Sequence, residues 1–506
     1  MAHLIGIDVG TTALKAVLLD AGRGEIVDCV SYPNRAHHPQ PDWSEFHPDE
    51  MWQGVAGCVH TLSDRNRPLD VRAVSVASMG EAGVPIDSEG RYLYPIIAWY
   101  DPRTEEYPGF WEQKLGAWEL FQITGLAIRH IFSLNKILWL RANRSELVRD
   151  LSKWLCVEDF IIWKMSGRYA TDYTIASRTM ALDQRTKSWS PEVLELAQLD
   201  ADIFPEVLPS GTVVGELAPD AASQMGIKAG IPVVAGGHDH LCAALAAGLV
   251  KERQLLDSSG TAQAILALTP RFQPTRELFQ SAFTHYPHVV ENQYVVQGGA
   301  PAAGGAIEWF ARLLTGGVGS VPVGAYAALF TEAAAVPPGA GGVLCVPHLL
   351  GSGTPQNDQV SRGTLLGLSM DHTRGHVFRS VIEALGYSLR ENVEAVEAAL
   401  SERIDEVISV GGANRAELTL QIKADVTGRT ITAPQLEEAT ATGAALLAGV
   451  GAGVYADVRE AAYSLNVPSR SYAPNSNALA TYTQRYHSVY LKLHRALEDV
   501  NRELSS

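Results

Sequence analysis

The sequence predicts an α/β protein built as two domains, and three observations carry that prediction. The chain has 506 residues, more than one hydrophobic core accommodates and enough for two domains of roughly 250 residues each. Short buried-strand runs alternate with helical patterns, and glycines punctuate the strand ends. A strand–Gly-Thr–strand pattern near the N-terminus also returns half a chain later, as two copies of one fold would produce.

Taken in order, Leu4 to Asp8 reads as a short buried strand. The turn Val9-Gly10-Thr11-Thr12 follows, then an apolar run from Ala13 to Leu19, which together make a hairpin. The periodicity predicts helices over Ser133 to Leu140, over Leu241 to Leu249 directly after a Gly-Gly-His-Asp-His turn, and over Val377 to Val396. The second hairpin begins at Gln254 to Asp257, turns through Ser258-Ser259-Gly260-Thr261 and continues to Leu268. A last helix runs from about Ala478 to Leu497. Its stripe of Tyr482, Tyr486, Tyr490, Leu493 and Leu497 reads as core packing. Pro- and Gly-rich stretches at 270–276 and 336–342 read as linkers.

Composition excludes several functions. Hydrophobic residues make up 46% and charged residues 19%, with a formal net charge of −16. That acidity, with no local run of Lys and Arg, leaves no footprint for nucleic acid and disfavours anionic membranes. The cysteines, Cys29, Cys58, Cys156, Cys242 and Cys345, are scattered and form no C-x-x-C. They read as buried thiols of a reducing compartment. No signal-peptide pattern and no membrane-length apolar stretch is present, so a cytoplasmic location is expected.

The first hairpin carries what a nucleoside triphosphate needs. Glycine lets turn amides approach phosphate oxygens closely. Here Gly10 has that role, Thr11 and Thr12 add hydroxyls, and Lys15 adds a mobile cation. Asp8, at the strand end, is placed to hold Mg²⁺ directly or through water. The alternative is a plain hairpin turn. There is no G-x-x-x-x-G-K-[ST], which excludes a P-loop.

Gly363 to Glu383 reads GTLLGLSMDHTRGHVFRSVIE. Gly363, Leu365, Gly367, Leu368, His376, Val377, Ser380, Val381, Ile382 and Glu383 fall where the second signature of the FGGY carbohydrate kinases has its defined positions. Ser133, Lys136, Ile137, Trp139, Leu140 and Asn143 fit much of the first signature; Ile131 and Ala142 depart from it. Val410-Gly411-Gly412-Ala413-Asn414, with Gln421 and Ala424-Asp425, is similar to the family's adenosine motif. The chain thus resembles an FGGY kinase over nearly its whole length. The resemblance implies two actin-like, ribonuclease-H-like ATPase domains around a catalytic cleft, with a boundary near 246–252 and domains of 1–248 and 249–506. It implies ATP and Mg²⁺, a small sugar or polyol such as a ketopentose as acceptor, and a homodimer in many relatives. The paired hairpins then clamp phosphates from both sides, Gly260 and Thr261 serving in the second half. Gly411, Gly412 and Asn414 hold the adenosine; on residues alone the motif also reads as a strand-to-helix turn with Asn414 as its cap.

The resemblance also implies that Asp239, after the paired glycines 236 and 237, is the general base and shares Mg²⁺ with Asp8. A carboxylate in reach of a sugar hydroxyl orients it and takes its proton as the P–O bond forms. On residues alone, Asp239 serves equally well as a helix N-cap. His238 contacts the sugar or packs, and His238 and His240 lie too close in sequence, without further ligands, to read as a metal site. For the sugar, the resemblance points to Met79, Gly80 and Glu81 and to Trp99 and Asp101, with Trp99 either stacking on a sugar face or buried in the core, and Asp101 either binding vicinal hydroxyls or simply pairing with Arg103. Xylulose kinases commonly show Met-His-Gly where this chain has Met79-Gly80-Glu81. That departure points away from xylulose and toward a neutral sugar or polyol. Gly351-Ser352-Gly353 likewise replaces the Gly-Glu-Arg of many relatives. An actin- or chaperone-like ATPase that acts as an interaction protein, and a non-catalytic sugar sensor, are the competing readings.

Overall fold

The structure, a computed structural model, describes residues 2–505. Two sheets organise it. The first has the spatial order 213–216, 232–238, 71–78, 3–9, 13–20, 25–33. The strands His3–Val9, Ala13–Asp20 and Glu25–Pro33 form an antiparallel meander, and Val71–Ser78 and Pro232–His238 add in parallel beside His3–Val9. The second sheet repeats that plan. Gln254–Ser259, Gln263–Thr269 and Tyr294–Ala300 form the meander, and Glu406–Val410 and Thr430–Pro434 add in parallel beside Gln254–Ser259. Thr284–Pro287 and Ser469–Tyr472 extend its two edges. Two copies of a meander plus two parallel crossovers bear out the two copies of one fold expected from the repeated hairpin, in the ribonuclease-H-like arrangement that the resemblance implies.

The local reasons are visible in the residues. Leu4, Ile5, Ile7 and Val9 are buried on both faces of the first sheet, as central strands covered by helices require. The helix Pro48–Arg65 starts on a proline with Asp49 and Glu50 in its first turn, which suits the positive helix start. It buries Met51, Trp52, Val55, Val59 and Leu62 on one face against the sheet. In the second half, Thr373 caps the helix Arg374–Leu400, and His376 Nδ1 accepts from the Thr373 amide. The tyrosine stripe is core: Tyr482, Tyr486 and Tyr490 are buried and pack around Tyr387. The final helix is interrupted, however, by a π-turn at Tyr486–Tyr490 before Leu491–Ser505.

One helix ties the halves together. Ala439–Gly451 comes late in the chain but packs on the first sheet, and it lies beside Asp239–Ala246. The approach is close enough to demand glycine. A Cβ on Gly6 would sit 1.8 Å from the Ala441 carbonyl oxygen, and one on Gly443 would sit 1.9 Å from that of Cys242. All five cysteines are free, and four of them are buried. Among the described residues no helix is long and apolar enough to cross a membrane.

Candidate active site

The first hairpin turns through Gly10, whose amide donates to the Ala13 carbonyl at 3.0 Å, and Asn34 Nδ2 ties down the Gly10 carbonyl at 2.8 Å. Asp8 lies at the end of its strand, half-buried. Burial and then the charge of Asp239 push its carboxyl up to about 8, with Lys15 opposing. Lys15 Nζ is not free: it donates to Glu438 Oε2 at 2.6 Å, across the cleft from the start of the helix Ala439–Gly451. Burial lowers the lysine's proton affinity, but the bond and charge of Glu438 outweigh it. Trp99 is 37% exposed, so it is not core, and its indole N–H donates to Thr11 Oγ1 at 3.1 Å. That bond seats the ring beside the hairpin turn.

Asp239 follows the strand Pro232–His238 and opens the helix Asp239–Ala246. The N-cap is His238, not Asp239, which corrects the N-cap alternative: Asp239 is already helical, and its Oδ1 accepts from the next amide, His240 N, at 2.6 Å. Its side chain keeps 26% of its surface open. Burial raises its carboxyl above the usual aspartate range, with His240 and Arg178 opposing and Glu81 adding. His238 is buried with Nε2 3.3 Å from Asp239 Oδ1, and burial, helped by Arg178, holds the imidazole well below its ordinary value and hence neutral.

On the sugar side the structure adds a residue that the sequence reading missed. Glu81 sits in the left-handed region at φ 65°, a costly conformation for a non-glycine residue. Its Oε1 accepts from Arg178 Nε at 2.7 Å and also from Arg178 Nη2. Arg178 lies over Phe132 and over Tyr286, the latter from the second half of the chain. Gly80 is required here, since a Cβ would come 2.8 Å from Arg178 Cγ. Arg178 was findable: it lies in Ala176-Ser177-Arg178-Thr179, a basic residue in an otherwise small and neutral run. What pairs it with Glu81, 97 positions earlier, is tertiary.

Two expected sugar contacts do not face the cleft. Asp101 is fully buried. Its oxygens are taken by the Ser44 amide at 2.6 Å and by Arg103 N, Nε and Nη2, so none is left for vicinal hydroxyls. Met79 is 2% exposed and packs in the core under the first sheet.

The second hairpin opens on a groove of about 500 Å³ lined by Gly260, Thr261, Gly304, Glu308, Tyr326 and Gly412, among others. Gly260, Thr261, Gly411 and Gly412 are exposed there. Gly411 has φ 97°, and a Cβ on it would meet the Ser259 carbonyl at 2.5 Å. Asn414 does not face the groove as expected. Its Nδ2 donates to the Val410 carbonyl at 2.7 Å, and its Oδ1 accepts from Lys423 Nζ at 2.8 Å. Lys423 is wholly buried and also donates to Asp257 Oδ2 at 2.5 Å and Ser259 Oγ at 3.0 Å. Asn414 therefore braces the groove from beneath, as one member of a saturated network.

The donor set suits a Mg²⁺ ion. Mg²⁺ takes one or two carboxylates together with substrate phosphates. Asp8 and Asp239 are two partly open carboxylates, and the charge of one raises the pKa of the other, a repulsion that a divalent cation relieves.

The model of the N-terminal domain of the FGGY family of carbohydrate kinases matches residues 3–246, and that of the family's C-terminal domain matches residues 255–452. The xylulose kinase of Staphylococcus xylosus is 29% identical over 452 residues, which cover 89% of this chain and 91% of the relative. The glycerol kinase of Gloeobacter violaceus is 33% identical over 474 residues, covering 90% of each. The crystal structure of the xylulose kinase from Rhodospirillum rubrum superimposes with a TM-score of 0.90 at 25% identity, covering 99% of this chain and 100% of that one.

Proposed function

The chain belongs to the FGGY family of carbohydrate kinases and so moves a phosphoryl group from ATP to an alcohol group of a sugar; from that premise we propose that Asp239 is the general base and that the acceptor lies between Asp239 and the Glu81–Arg178 pair. The observation that carries this reading is convergence: Asp239, Glu81 and Arg178 come from three separate elements, and Tyr286 closes the group from the second half. Asp239 takes the proton of the attacking hydroxyl. Its raised affinity for a proton, from burial, makes it a better base than an ordinary aspartate. Glu81, held by Arg178, accepts hydrogen bonds from neighbouring hydroxyls, and Trp99 offers a partly exposed face beside the hairpin.

ATP fits with its phosphates between the Gly10-Thr11 and Gly260-Thr261 turns and its adenosine on the Gly411-Gly412 shelf. Thr12 and Lys15 lie on the phosphate side. Asp8 and Asp239 are the residues that hold Mg²⁺, which when bound neutralises charge on the phosphates. Closure of the two halves around the helix Ala439–Gly451 excludes water and so limits ATP hydrolysis. The relatives, a xylulose kinase and a glycerol kinase among them, support a ketose or polyol acceptor, whereas Glu81, where xylulose kinases commonly have glycine, supports an acceptor other than xylulose. A coupled ADP-release screen over ketopentoses, deoxyketoses, linear polyols and aldonates tests the reading. One class with a high kcat/KM is expected, and ADP release that no acceptor stimulates defeats the proposal.

A further inference from the structure

The strand that delivers Asp239 breaks register with its neighbour. Val234 faces Ser75 and Gly237 faces Ala77, so three steps on one strand answer two on the other. The extra residue is a bulge, and a bulge takes backbone N–H groups out of the ladder. A buried N–H without a partner is costly, so each must be met elsewhere. The Thr212 carbonyl takes the Ala235 amide at 2.9 Å, and side chains meet two further amides, that of Gly236 within the bulge and that of His238 just beyond it. Glu158 Oε1 accepts from Gly236 N at 2.7 Å, and Thr174 Oγ1 accepts from His238 N at 2.7 Å. Thr174 Oγ1 then donates to Asp172 Oδ1 at 2.9 Å, and Asp172 is itself held by Ser210 Oγ at 2.6 Å and by the amides of Thr174 and Ile175 at 2.9 Å. Glu158, Asp172 and Thr174 are all fully buried. The bulge has no slack: a Cβ on Gly236 would lie 1.9 Å from the Val76 carbonyl, and one on Gly237 would lie 2.9 Å from Thr174 Oγ1.

The His238 amide fixed by Thr174 belongs to the residue immediately before Asp239, so its position sets the direction in which the Asp239 side chain leaves the backbone. We propose that Thr174, backed by Asp172, and Glu158 are positioning residues: they lock the bulge and thereby aim the Asp239 carboxylate at the acceptor hydroxyl. None of the three reaches the cleft, so they act only through Asp239. The proposal rests on the reading of Asp239 as the base.

Steady-state kinetics with the acceptor found by the screen test it. Thr174→Val keeps the shape and removes the hydroxyl, and Thr174→Ser keeps the hydroxyl. Since a 1 Å misplacement of a reacting group costs up to about 100-fold, Thr174→Val is expected to lower kcat roughly 10- to 100-fold with both KM values within about twofold, and Thr174→Ser to recover to within about threefold. Glu158→Met and Glu158→Gln form a second pair, independent of residue 174. The glutamine still offers the Gly236 amide an oxygen and is expected to keep activity, whereas methionine loses it. A melting curve shows that each variant is folded. A folded Thr174→Val with unchanged kcat overturns the proposal, and so does a Thr174→Ser as impaired as Thr174→Val. If Asp239→Asn turns over near the wild-type rate, the base assignment itself fails, and the bulge residues lose their object with it.

Discussion

Lys15 and Glu438 stand 423 positions apart in the chain and 2.6 Å apart across the cleft, Nζ to Oε2. Each side chain is about 30% exposed, so the pair is open enough for a ligand to compete for it. An anionic phosphate arriving between the hairpins is the natural competitor. Lys15→Met is expected to lower kcat roughly 100-fold, the loss typical of removing one charge-stabilising group. Glu438→Gln is expected to cost about tenfold, and the double variant no more than Lys15→Met alone, because Glu438 acts through Lys15. A double variant whose loss equals the product of the two single losses shows independent roles.

Asp239→Asn is expected to lower turnover by roughly 1000-fold, within the range of general-base contributions. Calorimetric titration with ATP should still give a Kd within about twofold of the wild type. Substantial turnover in this variant removes Asp239 from the base role.

Glu81 is best tested as Glu81→Gln. Removing the side chain altogether, as in Glu81→Ala, strands the buried guanidinium of Arg178 and costs roughly 3–5 kcal/mol. The glutamine variant is expected to raise the acceptor KM about tenfold, equivalent to ~1.4 kcal/mol, and to leave the ATP KM unchanged. An unchanged acceptor KM places Glu81 outside the sugar pocket.

Gly443 meets the Cys242 carbonyl so closely that a methyl would lie 1.9 Å from it. Gly443→Ala therefore forces the helix Ala439–Gly451 away from Asp239–Ala246. A loss of about 3 kcal/mol is expected, at the upper end for overpacking, read as a lower unfolding midpoint together with a lower kcat. About 3 kcal/mol lowers the midpoint by several degrees in a chain this size, so a midpoint within about 1 °C of the wild type contradicts the close approach.

Glu391 gives a pH signature. Burial raises its carboxyl from the ordinary 4.5 to about 7, and Gln356 Nε2 donates to its Oε1. Because the folded value lies above the unfolded one, the native state binds the extra proton. Its contribution is present in full below about 4.5 and is lost as pH rises toward 7. Glu391→Gln removes that loss. The stability gap between variant and wild type should widen by about 3 kcal/mol between about pH 4.5 and 8 and stay constant above. A gap that does not change over this range refutes the assignment.

The two-domain α/β plan, both Gly-Thr hairpins, the helix after Thr373 and the buried tyrosine stripe were legible in the residues. Each is a local pattern: periodicity, a turn residue, a cap. The family was legible for the same reason, because its signatures are contiguous. The proposed site is legible only where a role falls on the backbone of a turn, as proposed for Gly10 and Gly260, or at a strand end, as proposed for Asp239. Asp101 and Asn414 looked like ligand contacts because a polar side chain beside a motif reads the same whether it faces a cleft or a buried partner. The tertiary structure decided for the Arg103 pairing that the sequence also offered for Asp101, and it alone decided that Lys423 claims Asn414. It also decided that Arg178 pairs with Glu81, that Lys15 reaches Glu438 and that Thr174 caps the bulge before Asp239. Asp101 and Arg103 are only two positions apart, and there the fold decided burial, not proximity; for the other four the physical reason is common. Periodicity, turns and caps depend on residues a few positions apart, whereas which buried charge meets which partner depends on how distant segments pack.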